Sequence, residues 1–352
     1  MKKIHETIAM IHPLDASLMQ QAQDRLDSLT KPQGSLGRLE SLAKQIVGIS
    51  GTLRPSLQNK VIVTVAADHG VVSEGVSAFP QEVTPQMVYN FLRGGAAINV
   101  LARHVGAQVV ICDAGVASDL TPHPELIVKK VAYGTKNMAH GPAMTDHEAI
   151  KAVTAGIEIV ETLVRQGVNI IGTGDMGIGN TTASSAIVAV ITGTPVEQVT
   201  GRGTGIDDGT LSHKVAVIQK SIAVNKPDRL NGMDVLRKVG GFEIGALAGV
   251  FLAAAAHRIP VVIDGFISGA AALIAAAIEP KVKEYMLPSH CSVEQGHRIT
   301  LNYLGLKPLF DFDMRLGEGT GAALGIGIAE AGIKIINEMA TFKDAGVSEK
   351  SA

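Results

Sequence analysis

The chain has 352 residues and a net charge of -2, with 46% hydrophobic residues, 3% aromatic residues and no tryptophan. Such a length and apolar content call for a large core in one domain or two, built from Ala, Val, Ile and Leu as in sheets covered by helices. Balanced charge and scarce stacking rings argue against nucleic-acid binding.

The opening MKKIHETIAMIHPLD has no sustained apolar region and no small-residue cleavage site, so no secretory signal is expected. The segments DASLMQQAQDRLDSL and LGRLESLAKQIVGISGTL carry apolar residues at helical spacing, separated by the turn stretch TKPQGSLGR. Short apolar runs follow: VIVTVAA (61–67), QVVICDAG (108–115), VNIIGTGD (168–175) and PVVIDG (260–265). Each ends in small or acidic residues and leads into a helical stretch, the pattern of parallel strands with crossover helices. The expected fold is α/β, a mainly parallel Rossmann-like sheet flanked by helices. A small helical subdomain is expected from residues 1–60 plus 330–352, beside a large α/β catalytic domain over 61–329. Ligands of such sheets bind beyond the carboxyl ends of the strands, where Asp68-His69, Asp113, Asp175 and Asp264 fall. The tracts GALAGVFLAAAAH and PVVIDGFISGAAALIAAAI are short or broken by Asp264, and read as buried elements rather than membrane spans. Cys112 and Cys291 form no disulfide framework and fit a cytoplasmic protein. TGAALGIGIAEAGIKIINEMATF reads as a long amphipathic helix and KDAGVSEKSA as a frayed tail.

The most informative stretch is IIGTGDMGIGNTTASSAIVAVI. A strand runs into Gly172, Gly174, Gly177 and Gly179, and Asn180, Thr181 and Thr182 open a helix, whose free N–H groups suit a phosphate. The bland alternative is a tight strand–helix turn. Gly172 to Gly177 also match the dinucleotide fingerprint, but the acidic residue expected about 20 positions on is missing from a second strand end. TGRGTGIDDGTLSHK follows and ends in Lys214, a point charge suited to phosphate or, more blandly, a surface lysine. In SHCSVEQGH, the residues His290, Cys291, Glu294 and His297 fit no zinc spacing and have no second cluster, so buried or substrate-facing polar groups are the better reading. His69 in AADHG reads as structural or supporting. Glu318, between Gly317 and Gly319 ahead of the last helix, is either a solvated helix-start anion or a carboxylate brought close to a ligand by backbone only glycine permits.

Taken in order, KPQGSLGRLE, AADHGVVSEGVSAFPQEVT, GTGDMGIGNTT, GRGTG, DGFISGAAAL, SHCSVEQGH and RLGEGTGAAL resemble the nicotinate-nucleotide:dimethylbenzimidazole phosphoribosyltransferase family over residues 30 to 330. That family moves phosphoribose from nicotinate mononucleotide to 5,6-dimethylbenzimidazole, giving nicotinate and α-ribazole phosphate for the lower nucleotide loop of cobalamin. The resemblance implies Glu318 as general base and a phosphate site at Gly174, Gly177, Gly179, Asn180, Thr181, Gly203 and Lys214. It implies Gln86, Met176 and Leu316 at the base pocket, and Asp264 and Ser292 toward the ribose or nicotinate. Asp175 is the candidate second carboxylate; the family often has Gly-Glu-Met-Gly here, and aspartate has the shorter reach. The implied partners are the two small-molecule substrates and a second subunit in a homodimer, with no metal, no other cofactor, no nucleic acid and no membrane. The alternatives are an NAD(P)-dependent oxidoreductase and a non-enzymatic nucleotide- or benzimidazole-binding protein.

Overall fold

The computed structural model describes residues 1–203 and 205–348; Thr204 of GRGTG and the last four residues of the expected tail lie outside the described residues. Six parallel strands form one sheet: β1 (Lys60–Ala67), β2 (Ala107–Gly115), β3 (Leu126–Val128), β4 (Ile170–Met176), β5 (Val261–Ile263) and β6 (Met286–Pro288). Their order is β3-β2-β1-β4-β5-β6. All pairs are parallel. This is the doubly wound α/β arrangement, in which the winding reverses between β1 and β4 and leaves a crevice at the carboxyl edge.

A buried parallel sheet must be apolar on both faces, and β1 shows how the sequence meets that demand. Val61, Val63 and Val65 face one core, together with Ile157, Ala248 and Ala271. Ile62 and Ala66 face the other, together with Ile46, Ile98 and Ile326. Side chains alternate across a strand, so an unbroken run of small aliphatics serves both layers. One layer is led by the helices Asp146–Arg165, Phe242–Ala256 and Phe266–Ile278, the other by Arg38–Ser50, Ala97–Val105 and Thr320–Glu338.

The chain ends meet. Leu29 bridges Thr341 in antiparallel fashion, and Arg25 donates to the carbonyls of Ile336 and Met339 at 3.3 and 2.9 Å. We propose that these ends form the small helical subdomain expected from the sequence. The core beneath them continues into the sheet, since Leu26 and Leu42 share a cluster with Ile62 and Ile170. Part of the expected frayed tail is ordered: Phe342–Ala345 form a short helix whose start is capped by the Thr341 hydroxyl, which accepts the Asp344 N–H. No described helix is long and apolar enough to cross a membrane.

Candidate active site

A cleft of about 540 Å³ opens at the carboxyl ends of β4, β5 and β6, lined by Asp175, Met176, Ser292, Leu316 and Glu318 among others. That volume suits a small-molecule ligand. Part of its lining is the turn before the helix Thr320–Glu338. Gly317, Glu318 and Gly319 all have positive φ, at 81°, 64° and 102°. Glycine adopts that conformation freely, whereas a glutamate there is strained by about 1–3 kcal/mol. Neighbours hold the strained residue in place. The Thr64 hydroxyl donates to the Glu318 carbonyl at 2.9 Å. Asp264 at the end of β5 accepts the N–H groups of Gly319, Gly321 and Ala322 at 3.0, 2.7 and 3.0 Å. Behind them, Gly174 leaves room for the turn: a Cβ there would stand 2.2 Å from the Glu318 carbonyl oxygen.

Glu318 is 6% exposed, and its Oε2 accepts the Ile98 N–H at 3.4 Å. Burial raises it above the ordinary carboxylate range, with the Ile98 amide pulling the other way. Asp175 also lines the cleft. Burial, then the charges of Asp264 and Glu243, push it well above that range, against a hydrogen bond from Asn180 at 2.9 Å. Its Oδ1 has no partner among the described residues. Burial pushes Asp264 up to about 7 as well, opposed by its three amide donors. Carboxylates whose surroundings separate their proton affinities are the usual basis for dividing acid and base roles. Here both carboxylates hold a proton more tightly than exposed ones do, Asp175 raised well above its ordinary value and Glu318 raised above its own.

At the other end of the cleft stands the helix Asn180–Thr192, begun by Gly179 in the left-handed region with no side-chain cap. Gly177, Gly179, Asn180, Thr181, Arg202 and Lys214 surround a side pocket against its N-terminus. Lys214 is buried, 1% exposed. Its Nζ donates to the Thr181 hydroxyl at 2.7 Å, and burial lowers it to about 8 although Glu294 opposes that shift. A buried ammonium donating to a hydroxyl and facing a helix N-terminus suits an anion.

Of the residues expected from the sequence, Glu318, Asp175, Met176, Gly177, Asn180, Thr181, Gly203, Ser292 and Leu316 line the cleft. Gly179 and Lys214 line the side pocket. Gly174 and Asp264 stand behind the Glu318 turn and support it instead of lining the cavity. Gln86 is exposed, and its helix Val83–Leu92 instead presents Val83 and Met87 to the cleft. Phe79, Ile178, Phe266, Ile267, His290, Glu294 and Arg315 also line it; of these only His290 and Glu294 stand out in the sequence. His69 is a supporting residue: its Nε2 meets Glu243 Oε1 at 2.7 Å in full burial. Burial depresses it, but the Glu243 charge and hydrogen bond and Asp68 hold it above its ordinary value. The dinucleotide fingerprint loses its ground. Gly172 and Gly174 lie inside β4, opposite Ile62 and Thr64 of β1, not in a strand–helix turn.

Comparison with known proteins decides the family. The family model described as phosphoribosyltransferase matches residues 11–347. The chain belongs to this phosphoribosyltransferase family. A nicotinate-nucleotide--dimethylbenzimidazole phosphoribosyltransferase of Geotalea uraniireducens (strain Rf4) is 58% identical over 349 residues, 99% of each chain. One of the same name from Roseiflexus sp. (strain RS-1) is 59% identical over 350 residues, again 99% of each. Among solved structures, CobT from Thermus thermophilus superposes on this phosphoribosyltransferase with a TM-score of 0.92 at 45% identity, covering 95% of this chain and 100% of that one.

Proposed function

We propose that this phosphoribosyltransferase moves phosphoribose from nicotinate mononucleotide to 5,6-dimethylbenzimidazole, giving nicotinate and α-ribazole phosphate, with Glu318 as general base. The observation that carries the reading is the Glu318 turn: three consecutive left-handed residues, held by Thr64 and Asp264, set one carboxylate at an apolar cleft that ends in a buried lysine and a helix N-terminus.

The chemistry needs little more. The leaving nitrogen of nicotinate mononucleotide is a pyridinium and takes the electron pair of the breaking C1′–N bond without an acid. The free ring nitrogen of dimethylbenzimidazole forms the new bond from the opposite face, converting a β-nucleotide into an α-nucleotide. As that bond forms, the distal N–H becomes acidic and passes its proton to Glu318, a contribution of about 10²–10⁴-fold for a general base. The raised proton affinity of Glu318 makes it a stronger base than an exposed carboxylate. Asp175, whose proton affinity burial and the charges of Asp264 and Glu243 raise well above the ordinary carboxylate range, lines the cleft beside it. Lys214, Thr181 and the turn at Gly177–Gly179 receive the phosphate; Met87, Met176 and Leu316 offer apolar walls to the flat acceptor. The position of Gln86, exposed beside Met87, fits the rim of that pocket better than its wall. We place the enzyme in the cytoplasm, as a homodimer.

The reading is tested by mixing the protein with nicotinate mononucleotide and dimethylbenzimidazole and following both products by chromatography. Nicotinate and α-ribazole phosphate should appear in equal amounts. Folded protein that forms neither would overturn it.

A further inference from the structure

One segment, residues 289–294, runs along the cleft between its two ends, and its hydrogen-bond accounting is one-sided. Ser289 has a single hydroxyl proton, and it donates this to the Asp264 carbonyl at 3.0 Å. With that proton on the Asp264 carbonyl, Nδ1 is the donor in the 3.0 Å contact between His290 and Ser289 Oγ. Burial lowers His290 to about 4, so the ring is neutral at pH 7 and its Nε2 is an acceptor. Glu294, 8% exposed, lines the same cleft; its Oε2 is enclosed beside Gly201 without a partner among the described residues, and the carboxylate is raised by burial against the Lys214 charge and a backbone hydrogen bond from Gly203. The segment between them is fixed: the Ser292 N–H donates to His297 Nδ1 at 2.9 Å. This wall offers the cleft two acceptors.

The two acceptors occupy different ends. His290 belongs to the Glu318 end, since a side chain on Gly321, three residues past Glu318, would meet its Nδ1 at 2.0 Å. Glu294 belongs to the phosphate end, where it and Lys214 act on each other's proton affinity. In nicotinate mononucleotide the anomeric carbon must lie near Glu318 and the phosphate near Lys214, so the sugar ring spans the same interval. Its phosphate and the nicotinate carboxylate are acceptors, which bare acceptors repel. Only the ribose hydroxyls can donate.

We propose that His290 and Glu294 form the subsite for the donor's ribose hydroxyls and select a ribonucleotide over a deoxyribonucleotide. The inference rests on the phosphoribosyl reading above. The test compares kcat/KM for nicotinate mononucleotide with that for its 2′-deoxy and 3′-deoxy counterparts. The unmodified enzyme should lose about 10- to 100-fold on at least one deoxy donor, the range for a hydrogen bond to a charged group. Glu294→Ala and His290→Phe should each raise KM for the ribonucleotide and bring the ribo-to-deoxy ratio toward unity. An unmodified enzyme that uses both deoxy donors within twofold of the parent overturns the subsite without needing any variant to fold. So do active variants that keep the full ratio. Absence of turnover with nicotinate mononucleotide itself would instead defeat the phosphoribosyl reading, so the two failures are distinct.

Discussion

Replacing Glu318 with glutamine should separate activity from stability, and in opposite directions. Among the described residues, the hydrogen bond its carboxylate accepts is the 3.4 Å contact from Ile98. A glutamine oxygen can accept the same N–H, and a bond that long is worth at most about 0.5 kcal/mol. The strained backbone and its supports from Thr64 and Asp264 involve main-chain atoms, which the substitution leaves alone. What changes is the charge. Burial raises Glu318 above its ordinary value of 4.5, so the folded protein holds that proton more tightly than the unfolded chain does. Through the interval between 4.5 and the raised value, the wild type loses stability as pH rises, and above it the full cost of a buried carboxylate remains. Glutamine does not titrate. The stability of Glu318→Gln relative to wild type should therefore increase as pH rises from 4.5 to 8, while kcat falls by about 10²–10⁴-fold. Thermal melts at the two pH values and nicotinate release under saturating substrates provide the measurements. A variant within tenfold of wild-type turnover would refute the base assignment. A relative stability that declines with pH would refute the electrostatic account.

Three further outcomes follow from the same geometry. Lys214→Met should cost little stability, because it removes a buried ammonium and keeps the methylene stem, but should raise KM for nicotinate mononucleotide at least tenfold; an unchanged KM would contradict the phosphate role. With Lys214 lowered to about 8 by burial, it loses its charge as pH rises through that value, so nucleotide binding by the wild type should weaken between pH 7 and 9 in calorimetric titration. Gly174→Ala places a Cβ 2.2 Å from the Glu318 carbonyl oxygen; a displaced base and overpacking of about 1–3 kcal/mol should follow, read as a lower melting temperature together with a fall in kcat exceeding that in nucleotide affinity.

The strands that carry the site are legible because their chemistry is extreme. An apolar run ending in Asp, repeated four times, needs a two-sided core and leaves its acids at one edge; β1, β2, β4 and β5 follow that pattern. Strands β3 and β6 have three residues each, too few for any periodicity to register. The apolar wall of the cleft, the proposed base pocket, is hidden for another reason. Val83, Met87, Phe266 and Ile267 carry no signal that separates a cleft-facing apolar residue from a core one, since both are simply apolar. Gln86 illustrates the limit of a motif without its helix phase. Positions i, i+3 and i+4 share a broad face, and at its edge Gln86 is exposed while Val83 and Met87 line the cleft, a difference that the motif alone does not show.

Glycines that match a dinucleotide fingerprint serve a different end here. In that fingerprint the first glycines turn the chain toward a pyrophosphate. In this chain Gly172 and Gly174 are within the strand, and the pressure on them comes from the other side. Gly172 lies under Ile62 and Ala322, and Gly174 under the carbonyl of Glu318. Only Gly177 and Gly179 form the turn that opens the helix. One glycine-rich stretch thus performs two separate tasks: its first half lets the base-bearing turn settle onto the sheet, and its second half opens the anion pocket. Because both tasks fall on one short strand and the turn that follows it, a rigid element sets the distance between Glu318, the proposed base, and the proposed phosphate pocket. A reaction that joins an acceptor to an anomeric carbon at a fixed remove from a phosphate requires such a fixed distance.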